Sequence, residues 1–158
     1  MRAYRVGDWG SPVTVEMVKA NSRIAHDDED LMIQSLIDAA HERAERETGI
    51  VYGSGEWVIE ADIVAEKLLL PIWPVTAWPA GWTAESVGRD IILVAGEWPA
   101  DRRITVTAGM PMPATVKQAI LMMVGYWFDQ RNTATEAGAR EVPYGASDLL
   151  AMERRMFA

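Results

Sequence analysis

The spacing of apolar residues predicts helix first, then strand, then helix again. Val13 and Val18 bracket Thr14, an arrangement in which the threonine hydroxyl caps a helix start and the two valines close a hydrophobic staple over it. This first helix is short and ends near Asn21. The run Asp27-Asp28-Glu29-Asp30 opens a longer one, because a carboxylate can cap free backbone amides and others are favourable at the positive end of the helix dipole. Gly49 after Thr48 stops it. Within it Ile33, Leu36, Ile37, Ala40 and Ala44 recur at spacings of three and four, which makes one apolar stripe. Glu42 and Arg46 on the remaining surface are one turn apart, the spacing of an ion pair.

From Trp57 to Val64 the period shortens to two: Trp57, Ile59, Ala61 and Ile63 alternate with Glu60 and Asp62, the pattern of a half-buried strand. Ile91 to Val94 and Arg103 to Thr107 read as two more strands, separated by turn material at Gly96, Pro99 and Asp101. Between them Pro71, Pro74, Pro79, Gly81 and Gly88 exclude a helix.

Pro113 suits the first turn of a third helix that runs to about Arg131. Val116, Ala119, Ile120, Met123, Val124 and Trp127 form one stripe on it, and Leu121, Met122, Tyr126 and Phe128 fill much of the other side. A helix apolar on most faces must be covered on most faces, so it is either a central core helix or one that also meets a neighbouring subunit. Thr133 to Glu141 reads as a flexible polar link. After the turn Pro143-Tyr144-Gly145, a short last helix runs from Ser147 to about Met156. The predicted fold is mainly α: a small bundle of about four helices, with a small antiparallel β insertion at about 55–107 between the second and third long helices.

Composition narrows the function by exclusion. The 158 residues are 49% hydrophobic and 24% charged, an ordinary globular balance. There is no cysteine, which removes disulfides, thiolate metal sites and thiol nucleophiles. A formal charge of -8 argues against a sequence-independent grip on DNA or on an anionic membrane. Met1 to Ser11 has no apolar signal core, and the apolar run Ala119 to Phe128 is far shorter than a bilayer span of about 20 residues. A soluble protein without membrane association is predicted.

Candidate chemistry is sparse. His26 with Asp27, Asp28 and Asp30 has metal-ligand residue types, but adjacent residues at a helix start diverge, and capping explains them. His41-Glu42 lacks the second histidine of a zincin helix and reads as a helix-surface pair. Gly53-Ser54-Gly55 lacks the rest of a phosphate loop and reads as a turn. Five tryptophans between Trp57 and Trp98 suggest base stacking, yet Glu56, Glu60, Asp62, Glu66, Glu85, Asp90 and Glu97 face only Lys67 and Arg89 there. A single-strand platform needs a cationic groove, so core or protein-interface roles are predicted for these rings. No catalytic residue, cofactor site or metal site is predicted.

The order of blocks carries a resemblance. Ile24 to Asp30, Leu36 to Ala40, Ala44-Glu45 and Thr48-Gly49, then Leu70-Pro71 with Pro74-Val75, then Ile104-Thr105-Val106 leading to Ala108-Gly109, are similar in sequence and order to the head-to-tail connector (adaptor) proteins of long-tailed bacteriophages. Pro113 with Val116 to Leu121, and Val142-Pro143-Tyr144-Gly145 with Leu149-Leu150, continue the match over roughly Val13 to Arg155. The segment Thr76 to Arg102 departs from it.

That resemblance implies a non-enzymatic neck protein of a phage or of a phage-derived gene transfer agent. The implied assembly is a ring, expected to be a dodecamer, beneath the portal protein; it extends the DNA channel and docks a stopper or tail-completion protein. DNA would pass through without specific binding. The implied domain organisation is a connector domain over 1–141 and a portal-binding segment over 142–158. Portal contact falls on Tyr144, Leu149, Leu150, Arg154, Arg155, Met156 and Phe157, and the channel-lining acids are Asp27, Asp28, Asp30, Glu42 and Glu45. Two other classes remain open at the level of residues alone: a non-viral helical interaction module, and a small enzyme with a carboxylate-only site among Asp27, Asp28, Glu45 and Asp129.

Overall fold

A computed structural model of the chain describes residues 1–7, 11–63, 66–87, 90–94, 98–130 and 143–154. The elements in order are β1 (Arg2–Val6), α1 (Val15–Ser22), α2 (Asp30–Thr48), β2 (Gly55–Glu60), β3 (Lys67–Leu69), β4 (Val75–Ala77), β5 (Thr83–Val87), β6 (Asp90–Val94), β7 (Arg103–Ala108), α3 (Ala114–Gln130) and α4 (Tyr144–Glu153). They form two compact units. One is built from the N-terminal strand and Gly49–Pro111, the other from Ser11–Thr48 and Met112–Arg154.

The helical unit starts as its capping residues dictate. Thr14 is extended, at φ −107° and ψ 163°, and its hydroxyl accepts from the Met17 amide, while the staple valines Val13 and Val18 are both buried. On α2 the buried positions are Ile33, Ile37, Ala40, His41, Ala44 and Thr48, a single face at helical spacing. On α3 they are Val116, Ala119, Ile120, Met123, Val124 and Phe128. α3 packs against α1, α2 and α4, so it is the central core helix of its unit. Trp127, placed on the buried stripe by periodicity, is half-buried, and Phe128 takes the last covered position. α4 begins earlier than predicted: Tyr144 and Gly145 belong to its first turn, and the amides of Ala146 and Ser147 donate to the Pro143 carbonyl at 2.9 and 3.1 Å.

The other unit holds more strand than the sequence suggests, and the fold is therefore mixed α/β rather than mainly α. Its strands form a four-stranded sheet in the order β1-β2-β7-β4 and a three-stranded sheet in the order β3-β6-β5, all pairs antiparallel. β2 stops at Glu60, short of the predicted Val64, which lies outside the described residues. Ile59 on β2 and Ile104, Val106 and Ala108 on β7 face inward. They share one apolar cluster with Leu68, Leu70, Val75, Trp82 and Leu93, so both sheets line the same core. Trp82 and Trp98 meet edge to face there, with ring centroids 5.1 Å apart, a favoured aromatic geometry. β1 was not predicted, nor were β3, β4 and β5.

One glycine is dictated by close approach. Gly109 has φ +124°, and a Cβ at this position would run into the carbonyl of Gly53. The predicted turn at Gly53 and the end of β7 are thereby brought together, and the Gly53 amide donates to the Met110 carbonyl at 2.9 Å.

Because Met123 is fully buried in α3, Met123→Ala should destabilise the fold by roughly 2 to 5 kcal/mol in a denaturant titration. A loss below about 1 kcal/mol would show that the helices collapse onto the vacated space.

Candidate functional site

The sequence predicts no catalytic or metal-ligating set, so the candidate site is the set of groups available to partners. α4 is held to the helical unit by apolar and polar contacts. Ala146 and Leu150, four residues apart, are buried, and a Cβ at Gly145 would lie 2.8 Å from Met122 Cε, so α4 and α3 approach closely there. Thr115 Oγ1, in the first turn of α3, donates to the Glu153 carboxylate at 2.6 Å. Arg154 Nε donates to the Glu47 carbonyl at 3.2 Å, satisfying an acceptor in the last turn of α2 that has no partner within its own helix.

These contacts redistribute the predicted portal set. Leu150 belongs to the chain's own core and Arg154 bonds the α2 terminus. Leu149 is half-buried. Tyr144 opens α4, and Arg155, Met156 and Phe157 lie outside the described residues, as does the predicted link from Thr133 to Glu141. α4 presents the apolar side chain of Met152, 76% exposed.

The acidic turn is likewise committed in part. Lys19 Nζ donates to both Asp27 and Asp30, the latter at 2.9 Å. Its hydrogen bond, and then its charge, hold the Asp27 carboxyl below the usual aspartate range, and the two carboxylates in turn raise Lys19. This bond ties α1 to the turn that opens α2. Asp28 and Glu42 are exposed.

Glu45 has a different partner. His41, predicted on the helix surface, is completely buried; its Nδ1 lies 3.1 Å from Ser11 Oγ and its Nε2 lies 3.1 Å from Glu45 Oε1. With Ser11 Oγ also accepting from the Val13 amide at 3.2 Å, a consistent assignment has the serine hydroxyl donate to Nδ1 and Nε2–H donate to Glu45. The network joins the segment before α1 to the middle of α2. Its sequence signal was position: His41 is four residues after Ile37 and three before Ala44, on the buried stripe. The ion pair on the outer surface of α2 is Arg43 with Glu47, one residue along from the predicted Glu42 and Arg46.

Among the described residues no group of three or more His, Asp or Glu side chains could hold a metal, and no helix is long and apolar enough to cross a membrane. Large apolar side chains are exposed on both units, most fully Leu31 at 88%, Ile63 at 79% and Met152 at 76%.

In chain order, two helices behind a capped turn are followed by a small antiparallel β unit and two closing helices. Residues 12–154 match the Phage gp6-like head-tail connector protein family, and the chain belongs to that family. It is a structural head-tail connector, a family match that replaces the reading as a non-viral interaction module. No curated protein matches it in sequence. Among solved structures it is similar to a chain of the virion of a native gene transfer agent (GTA) particle, with TM-score 0.69. It is also similar to chains of the neck of an empty GTA particle computed with C6 symmetry and of a native GTA neck computed with C12 symmetry, with TM-scores 0.68 and 0.62. In each case 19% of residues are identical, with 100% of this chain and 97% of the other covered.

The Lys19–Asp27 contact should lose its contribution in acid. Asp27 is depressed in the folded state, so its contribution is full above the ordinary carboxylate range and is lost as pH falls through its lowered value. Lys19→Met should lower the thermal midpoint at about pH 7, and the gap to wild type should close below about pH 4. A gap of constant size down to about pH 2 would remove the carboxylates from the account. His41→Ala strands the Ser11 and Glu45 groups and should cost roughly 1 to 3 kcal/mol for the lost hydrogen bonding, read by urea denaturation; an unchanged midpoint would mean that water replaces the imidazole.

Proposed function

We propose that this chain is one subunit of a cyclic ring in the neck of a tailed phage or gene transfer agent particle. The ring sits beneath the portal protein, lengthens the DNA channel and offers its far side to a stopper or tail-completion protein. The observation that carries this reading is the family match over residues 12–154. The similarity to chains from GTA necks computed with C6 and C12 symmetry supports the ring, and favours a dodecamer. Electron microscopy of the purified protein with a cognate portal tests it: a twelve-fold ring on the portal is expected, and a protein that stays monomeric beside the portal overturns it.

Portal contact is assigned to the outward side of α4 and the residues after it, within 142–158, using Tyr144, Leu149, Arg155, Met156 and Phe157 of the predicted set together with Met152. Deleting the whole segment would confound the test, since it removes Ala146 and Leu150 from the core. Met152→Asp, at a side chain 76% exposed, should leave the thermal midpoint unchanged and abolish co-purification with portal. Retained binding would move the contact to another surface.

The channel wall is assigned to the exposed Glu42, with Asp27, Asp30 and Glu45 acting mainly as internal partners and Asp28 lying in the turn beside Leu31. An acidic wall lets DNA slide, because clustered cations would bind phosphates and release counterions. The variant Glu42→Lys should give assembled particles that release DNA more slowly at low salt; unchanged kinetics would place this carboxylate away from the lumen.

A further inference from the structure

Cyclic assemblies of more than two copies need a heterologous contact, in which one patch of a subunit meets a different patch of the next. The chain carries two patches that complement each other. The first is Leu31, 88% exposed in the first turn of α2. It follows directly on Asp27, Asp28, Glu29 and Asp30, four carboxylates of which Lys19 engages two. Leu31 lies off the buried stripe, so the packing of its own unit gives no reason for an aliphatic side chain at this place.

The second patch is an apolar hollow of about 230 Å³ in the β unit, lined by Met1, Ala61, Asp62, Ile63 and Leu68. Ala61 and Leu68 form its covered part, and Ile63 stands 79% exposed at its edge. Cavities of about 150 Å³ admit a benzene ring, so the space suffices for a leucyl side chain. Cations outnumber the one carboxylate at the rim: the Met1 amino group is bound to Asp62, Arg102 Nη1 donates to the Asp62 carbonyl at 3.0 Å, and Arg2 lies near enough for its charge to help lower the Asp62 carboxyl, after the larger effect of the Met1 amino group.

We propose that Leu31 of one copy seats in the hollow at Ala61, Ile63 and Leu68 of the next copy, with the acidic turn before Leu31 facing Arg2 and Arg102 across the contact. The inference rests on the ring reading and specifies its interface. The apolar contact holds the subunits, and the charges select the register and disfavour pairing of two identical patches, which would bring acid to acid or arginine to arginine.

The absence of cysteine makes the test clean. A Leu31→Cys, Ile63→Cys double variant is produced in cells that assemble the particle, and purified particles are treated with a short bismaleimide. A ladder of covalent multimers is expected from the double variant, and no ladder beyond dimers from either single variant. If the protein is present as a ring in the particles and no ladder forms, the proposed contact is wrong while the ring reading stands. Should the protein be absent from the neck, both fail. Leu31→Asp and Ile63→Asp supply an independent readout: each should weaken self-association about tenfold or more at unchanged thermal midpoint, and assembly at wild-type strength in both would overturn the contact.

Discussion

Six side chains on one broad face of α3 are buried in its own unit, and Leu121, Met122 and Tyr126 on the other side are half-buried. That circumference is the constraint from which the helical unit follows. A helix with one apolar stripe can lie on a surface, whereas one apolar on most sides needs neighbours on most sides, and α1, α2 and α4 provide them. The helices approach closely at two glycines. A Cβ at Gly125 would stand 3.3 Å from Ser22 Oγ, and one at Gly145 would crowd Met122. α4, a ten-residue helix that would be marginal alone, is ordered because α3 needs a cover.

Where a segment's own residues determine its state, the sequence was readable. Thr14 caps α1 between its two staple valines, α2 keeps its stripe, and the alternation on β2 and β7 puts Ile59, Ile104 and Val106 in the core. Where tertiary contacts decide, it was not. β1 reads Arg-Ala-Tyr-Arg-Val, with arginines on both faces and no apolar period. One of them, Arg5, is accommodated because its guanidinium lies 4.8 Å from the centre of the Trp57 ring, a stacking that no pattern within β1 encodes. β3 and β4 have three residues each, too short for a period to emerge, and prolines flank them. These short strands turned an apparently helical chain into a mixed one.

Around the candidate surfaces the sequence misled where residue type and position disagree. Residue type marked His41 as polar and therefore external, while its position on the stripe of α2 marked it as internal, and position won because Ser11 and Glu45 satisfy both ring nitrogens. Pro143-Tyr144-Gly145 has the composition of a turn, yet Gly145 is helical and tolerated because its missing side chain makes room for Met122. Arg154 looked like a cation for a partner's carboxylate and instead meets the carbonyl of Glu47.

The same accounting changes how the net charge of -8 is to be understood. A protein this acidic could be taken as carrying a uniform negative coat. In the helical unit, however, Asp27 and Asp30 share Lys19, Glu45 holds His41, Glu47 pairs with Arg43 and Glu153 accepts from Thr115. Asp27, Asp30 and Glu153 fasten separate elements to one another, whereas Glu45 and Glu47 pair one turn apart within α2, so a substitution at the first three acts first on the shape of the chain. Exposed acids such as Asp28 and Glu42 are different: they can change what the surface repels at little structural cost.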